Sequence, residues 1–324
     1  MLRWIIIAVV AAILIFVPTQ LKPYGIFLIS NWVIFCVVAM GLNLTIGYAG
    51  QISLAQAGFM GIGAYTSAIL MTRFGMDFWH TLPAAAGLSF LLGVIVGYPA
   101  LRVQHHYLAF VTLGFNILVY LVFRNEDWLT GGAFGIFDIP RPSVFGYATN
   151  DPLAFYYLCL AFFVVMFSLA WWIVRSPWGR AFAALRENPI RAASLGVDIR
   201  AYTLLAFATG STFAGLAGAF YASLLEFIDP YPFSFEYSLS FLLMVISGGS
   251  GTLVGPMIGA ALVLLMPEWL RFAKDYYLMI YAVFVMVLMA FCPSGVVGIW
   301  ERLTMFMRHK RMTAAAAAAE EQSK

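Results

Sequence analysis

Residues 154–174 read AFYYLCLAFFVVMFSLAWWIV, with Asp151 on one side, Arg175 on the other and no charge between. A helix rises about 1.5 Å per residue, so such a run crosses a hydrocarbon core about 30 Å thick. Outward from it the same pattern recurs at 4–21, 26–46, 53–71, 83–101, 106–123, 201–225, 236–249, 253–270 and 276–292. Run 236–249 is short for a span, so with 253–270 it forms either two spans or a re-entrant hairpin. The reading is an all-α, polytopic membrane protein with about eight to ten transmembrane helices. Hydrophobic types make up 63% of the 324 residues and charged types 10%, against about 45–50% and 25% in soluble domains. That composition excludes a secreted disulfide domain, a disordered chain and a nucleic-acid binder. Cys36 and Cys159 lie inside apolar runs and Cys292 ends one, a placement that predicts free thiols.

Charge sets the orientation. The first run follows Arg3 but lacks a small-residue cleavage site before Pro18, so it reads as a retained helix. With the N-terminus cytoplasmic, 12 Lys and Arg residues fall inside and 6 outside, as the positive-inside rule requires. Both termini are then cytoplasmic. Residues 124–152 form a long outer loop, and 175–200 a cytoplasmic loop carrying five arginines and two acids. Residues 1–312 read as one domain. Residues 313–324, alanines followed by a polar end, read as a frayed low-complexity tail.

The chemistry that is missing narrows the function. Glu236, Glu268 and Asp275 sit at span ends, and no span carries a charge at its centre. This argues against a proton antiporter, and less strongly against a sodium-coupled carrier. No lysine follows a glycine: the four follow Leu21, Ala273, His309 and Ser323. A phosphate-binding loop is therefore absent, and nucleotide would have to act through another chain. His105 and His106 are adjacent and point apart on a helix, so they read as interfacial residues, like His80, and not as a metal site. No paired carboxylates or nucleophile elbow are present, so neither catalytic residues nor a hydrolytic site are expected.

Two stretches carry signal. In the cytoplasmic loop, Ser176-Pro177 and Asn188-Pro189 each read as an N-cap followed by proline at the first helical position. Leu195-Gly196 reads as a helix end. Trp178, Ala181, Phe182 and Leu185 share one face of the first short helix. An ordinary basic interfacial helix would have this composition; two capped helices back to back favour a docking element for a cytoplasmic partner. The second stretch is 41–64, GLNLTIGYAGQISLAQAGFMGIGA. Its glycines suit close helix packing. Its uncharged polar groups, Asn43, Gln51, Ser53 and Gln56, are costly in lipid and suit a solute path. Gly248, Gly249, Gly251, Gly255 and Gly259 fit a tight turn between the two short late runs.

Three segments, GLNLTIGYAGQISLAQAGFMGIGAYT, SPWGRAFAALRENPIRAASLGVDIRAYTLLAF and LLMVISGGSGTLVGPMIGA, resemble in order the permeases of branched-chain amino-acid ABC importers of the LivM type. The likeness runs from about residue 38 to 295. It implies a multi-pass permease half in the cell inner membrane. Its partners would be a second homologous permease, two cytoplasmic ATP-binding subunits and a periplasmic solute-binding protein. ATP and Mg would then sit on the partner subunits, with no cofactor on this chain. The resemblance makes 175–200 the ATPase-coupling loop, with Arg186, Glu187, Asn188 and Gly196 matching its motif. Pro189 stands where the family commonly has an acid, and Ala55 and Gly58 also depart from its pattern. Relatives carry leucine-like amino acids, urea, short amides or aromatic acids. A self-sufficient ion-coupled carrier is the alternative from another class, and would transport when reconstituted alone. A passive amide or water channel would fit the polar stretch but leaves the loop unexplained.

Overall fold

The computed structural model describes residues 12–100, 105–144, 147–149 and 151–269, with isolated positions between 276 and 298. Expectations for run 276–292 as a whole, for Cys292, for most of run 4–21 and for the 313–324 tail lie outside the described residues.

Helix α1, Pro23–Asn43, starts with proline at its first turn and continues into a π-helical turn, Leu44–Tyr48. The chain is irregular over 49–55, and α2, Gln56–Phe74, follows. Next come α3, Phe78–Ala100, and α4, His105–Asn125. After the 124–152 loop, α5 is Pro152–Arg175. Two short helices, α6, Pro177–Glu187, and α7, Pro189–Ser194, precede the long α8, Ile199–Leu225. The last described helices are α9, Phe235–Gly248, and α10, Gly255–Trp269.

Among the described residues, five helices are long and apolar enough to cross a bilayer: α1 with its π turn, α3, α4, α5 and α8. The chain is an all-α polytopic membrane protein. α2 is long enough, at 19 residues, but less apolar. It is enclosed by α3, α4, α8 and α9, and a helix screened from lipid needs no apolar face all round. α9 and α10 have 14 and 15 residues, rising about 21 and 22 Å. They pack as an antiparallel pair around a glycine turn.

Several boundaries differ from the hydropathy reading. α3 begins at Phe78, ahead of the expected residue 83, because His80 and Thr81 mask its start. Thr81 is buried and satisfied by Ser67, 2.6 Å away. Run 53–71 becomes helical only at Gln56. Extended pairing among the described residues is confined to the loop side of the fold. Ser143–Val144 pairs with Tyr147–Ala148, and Ile136 bridges Ile228.

The core lies where α8 crosses α1, α2 and α3. A Cβ on Gly63 would collide with the backbone of Gly215, so the two helices touch main chain to main chain. Aromatic rings fill the remainder, including the Tyr65–Phe123 stack with centroids 4.2 Å apart and the Phe162–Phe220 stack at 4.0 Å. Cys36 and Cys159 are free and buried.

Candidate functional site

The site is built around the break between α1 and α2. In the π turn, hydrogen bonds reach one residue too far: Ala49 N–H donates to the Leu44 carbonyl at 3.2 Å. Gln51 N–H reaches back to Thr45 at 3.0 Å. An α-helix would have sent the Gln51 amide to Gly47, so the Gly47 carbonyl is left over. The amides entering α2 are then met by side chains from elsewhere, as helix starts require. Leu54 N–H donates to Thr112 Oγ1 at 3.0 Å, Ala57 N–H to Ser238 Oγ at 3.0 Å and Gly58 N–H to Asn116 Oδ1 at 2.7 Å. Ala55 N–H donates to Ser53 Oγ at 3.4 Å. Thr112 and Asn116 lie in run 106–123 and Ser238 in run 236–249, and sequence reasoning passed over all three.

The four polar residues expected near a path have different surroundings. Asn43 Nδ2 donates to the Thr252 carbonyl at 2.8 Å, and its Oδ1 accepts from Gly251 N–H at 2.9 Å. It pins the α9–α10 turn. Gln56 Nε2 donates to the carbonyls of Val38 at 3.0 Å and Gly210 at 3.2 Å, bracketing α1 against α8. Ser53 serves the start of α2. Gln51 is different: its side chain is 6% exposed, yet its Oε1 has no partner among the described residues. A buried amide oxygen without a donor is costly, and Gln51 is the one of the four whose amide oxygen is left unpaired.

The cytoplasmic loop reaches this break. Ser176 Oγ accepts from Trp178 N–H at 3.1 Å, and Asn188 Oδ1 from Arg191 N–H at 3.0 Å, so both helices are capped as their sequence predicts. Ala181, Phe182 and Leu185 are buried against the bundle, while Trp178 stays partly exposed. Arg186 at the end of α6 donates through Nη1 to the leftover Gly47 carbonyl. A Cβ on Gly251 would strike the same guanidinium, and Gly251 has a φ of 83° that favours glycine. One arginine thus touches both the break and the turn. Glu187 is exposed. Gly196 ends the loop at φ 85° with open space around it. Ile190 and Leu195, at 81% and 83% exposure, present apolar side chains on α7 and just after it.

Residues 25–292 match the family described as branched-chain amino acid transport system / permease component. The chain is 34% identical over 286 residues to the high-affinity branched-chain amino acid transport system permease protein LivM of Escherichia coli (strain K12), covering 81% of this chain and 67% of that one. It is 32% identical over 302 residues to the LivM protein of Salmonella typhimurium, covering 86% and 71%. A probable LivM protein of Methanocaldococcus jannaschii is 23% identical over 337 residues, covering 86% and 94%. No solved structure matches. With the family match over residues 25–292 taking in the five long apolar helices among the described residues and the break between α1 and α2, this chain belongs to the branched-chain amino acid transport system permease family.

Proposed function

We propose that this chain is the non-catalytic permease subunit of an ATP-driven importer of branched-chain amino acids in the cell inner membrane, with both termini cytoplasmic. It forms the solute path with a second, homologous permease. Two cytoplasmic ATPases carry the ATP and Mg, and a periplasmic binding protein delivers solute. The observation that carries this reading is the Arg186 contact with Gly47. It joins a capped cytoplasmic helix to a helix break that holds the unpaired Gln51 amide oxygen, so force on the loop has a direct route to the membrane segment.

The loop also suits docking. Its caps preorganise α6 and α7, so little conformational entropy is lost on binding. Ile190 and Leu195 stand out from it as apolar anchors, and arginines around them suit acidic partner groups. The test is reconstitution of this chain with its co-encoded permease, ATPases and binding protein in vesicles. Leucine uptake should require ATP and every component. Glu187→Lys and Gly196→Val should insert normally yet lose substrate-stimulated hydrolysis or release the ATPase. Uptake by this chain alone on an ion gradient would overturn the reading in favour of a self-sufficient carrier.

A further inference from the structure

The exposed face of α5 ends in a cluster of side chains outside the helix break and its contacts. α5 has 24 residues and rises about 36 Å, against about 30 Å of hydrocarbon, so its last turn lies at headgroup level. Along its outward face Val164, Val165 and Leu169 are exposed. Ser168 lies on the same face, and its Oγ donates to the Val164 carbonyl of its own helix at 2.7 Å. An apolar face whose hydroxyl is satisfied internally offers a protein partner no polar group to pair with, and suits acyl chains. In the last turn the face changes character. Trp171 and Trp172 are exposed, and Arg175 falls between them in projection, all three within about 100° around the helix.

The Arg175 guanidinium sits over the Trp171 ring, 4.1 Å from its centroid. Trp172 meets Trp178 of α6 edge to face, with centroids 5.9 Å apart. The corner between the two helices is fixed. Ser176 Oγ donates to the Ile173 carbonyl at 2.7 Å, and Ser176 N–H donates to the Trp172 carbonyl at 3.0 Å. A Cβ on Gly179 would strike the Val174 carbonyl, so α6 packs directly on the end of α5. Trp171, Trp172 and Trp178 are 44%, 57% and 40% exposed. None of their indole N–H groups has a partner among the described residues, and Arg175 has no carboxylate partner there. Acids nearby are few. Segment 175–200 carries five arginines and two acids, and one of the two, Asp198, caps α8 by accepting from the N–H groups of Arg200 and Ala201.

We propose that Arg175, Trp171, Trp172 and Trp178 form a binding site for the headgroup of an anionic phospholipid, with its acyl chains along Val164, Val165 and Leu169. A guanidinium held by stacking presents a planar fork that matches a phosphate. The indoles stand where rings with an apolar body and an N–H tip are favoured. A zwitterionic headgroup brings its own cation, which the guanidinium repels; an anionic one brings none. The permease reading enters only in naming the leaflet as the cytoplasmic one, where anionic lipid is drawn to basic segments. Lipid then holds the first turn of α6, while Arg186 at the other end touches the helix break.

The test titrates the purified, delipidated full chain in detergent with short-chain phosphatidylglycerol and phosphatidylcholine, read by native mass spectrometry. The wild type should bind the first phosphatidylglycerol more tightly than phosphatidylcholine. Arg175→Gln should weaken phosphatidylglycerol about tenfold, and Arg175→Lys, which keeps the charge and loses the fork, should lie between. Trp171→Leu, which removes the stacking surface, should also weaken it. Arg73→Gln, at the exposed end of α2, should leave it unchanged. Equal affinity for the two lipids in the wild type, unchanged phosphatidylglycerol affinity in Arg175→Gln, or displacement of the lipid by inorganic phosphate would overturn the site. In the assembled importer a photo-crosslinking residue at position 172 should capture lipid; capture of the second permease would give this face to that subunit and overturn the site as well. The titration needs neither ATP nor a partner chain, so its outcome is independent of ATP-dependent leucine uptake, which scores the permease reading.

Discussion

The guanidinium of Arg186 donates to the carbonyl of Gly47, across 139 positions of sequence. That carbonyl is free to accept because the π turn has sent the Gln51 amide to Thr45 instead. Arg186→Ala should leave the carbonyl unmatched and detach α6 from the break. A hydrogen bond to a charged group contributes about 1.5–3 kcal/mol, which corresponds to roughly a ten- to hundred-fold loss in leucine uptake if the contact transmits force. The ATPase should still co-purify, and Arg186→Lys should retain part of the uptake. Loss of ATPase binding in Arg186→Ala would instead place this side chain at the intersubunit contact.

Asn43 holds the α9–α10 turn from the far side, through Thr252 and Gly251. Asn43→Ala orphans one donor and one acceptor, each costing about 1–3 kcal/mol when buried. Thermal unfolding in detergent should fall clearly below the wild type. Asn43→Asp keeps an acceptor for Gly251 but loses the donor to Thr252, so it should lie between. An unchanged midpoint for Asn43→Ala would mean that the turn holds itself.

Gln51 and Gln56 are close in sequence and both amides, yet should respond differently. Gln56 brackets α1 to α8 by two bonds, so Gln56→Ala should lower stability first and uptake as a consequence. Gln51→Ala removes an oxygen that has no partner. It should leave the unfolding midpoint within about 0.5 kcal/mol of the wild type while lowering uptake. Measuring the midpoint and uptake on the same preparations separates the two, and equal loss of stability in both variants would make Gln51 a packing residue.

The parts legible in the sequence are those decided within a few residues. Ser176, Asn188 and Gly196 announce the loop helices because capping chemistry is local. The long helices follow from apolar length alone. What stayed hidden depends on contacts between distant positions. Asn43 and Gly251 are 208 positions apart, so nothing in 41–64 reveals that Asn43 faces a turn and Gln51 does not. Asn116 and Ser238 each look like a tolerable polar residue until they meet at the start of α2, 3.2 Å apart.

Orientation is open to direct measurement. In a background without the native cysteines, single cysteines at Phe134 and Ile190 report the two faces, since both positions are 81% exposed. A membrane-impermeant maleimide added to intact spheroplasts should label Phe134→Cys and spare Ile190→Cys until the membrane is opened. The reverse pattern would invert the proposed topology.

The π turn also governs how this chain tolerates changes of length. Leu44–Tyr48 holds a surplus residue relative to an α-helix, and removing one residue there would turn everything after it by about 100°. The carbonyl facing Arg186 would then belong to a different residue, and Gly50, which passes against the Arg186 backbone and stem, would be replaced by one bearing a side chain. Substitutions at the exposed Ile52 leave that phase intact. Divergence in this stretch should therefore proceed by exchange of side chains, with insertions and deletions displaced to surface segments where no helical phase has to be kept.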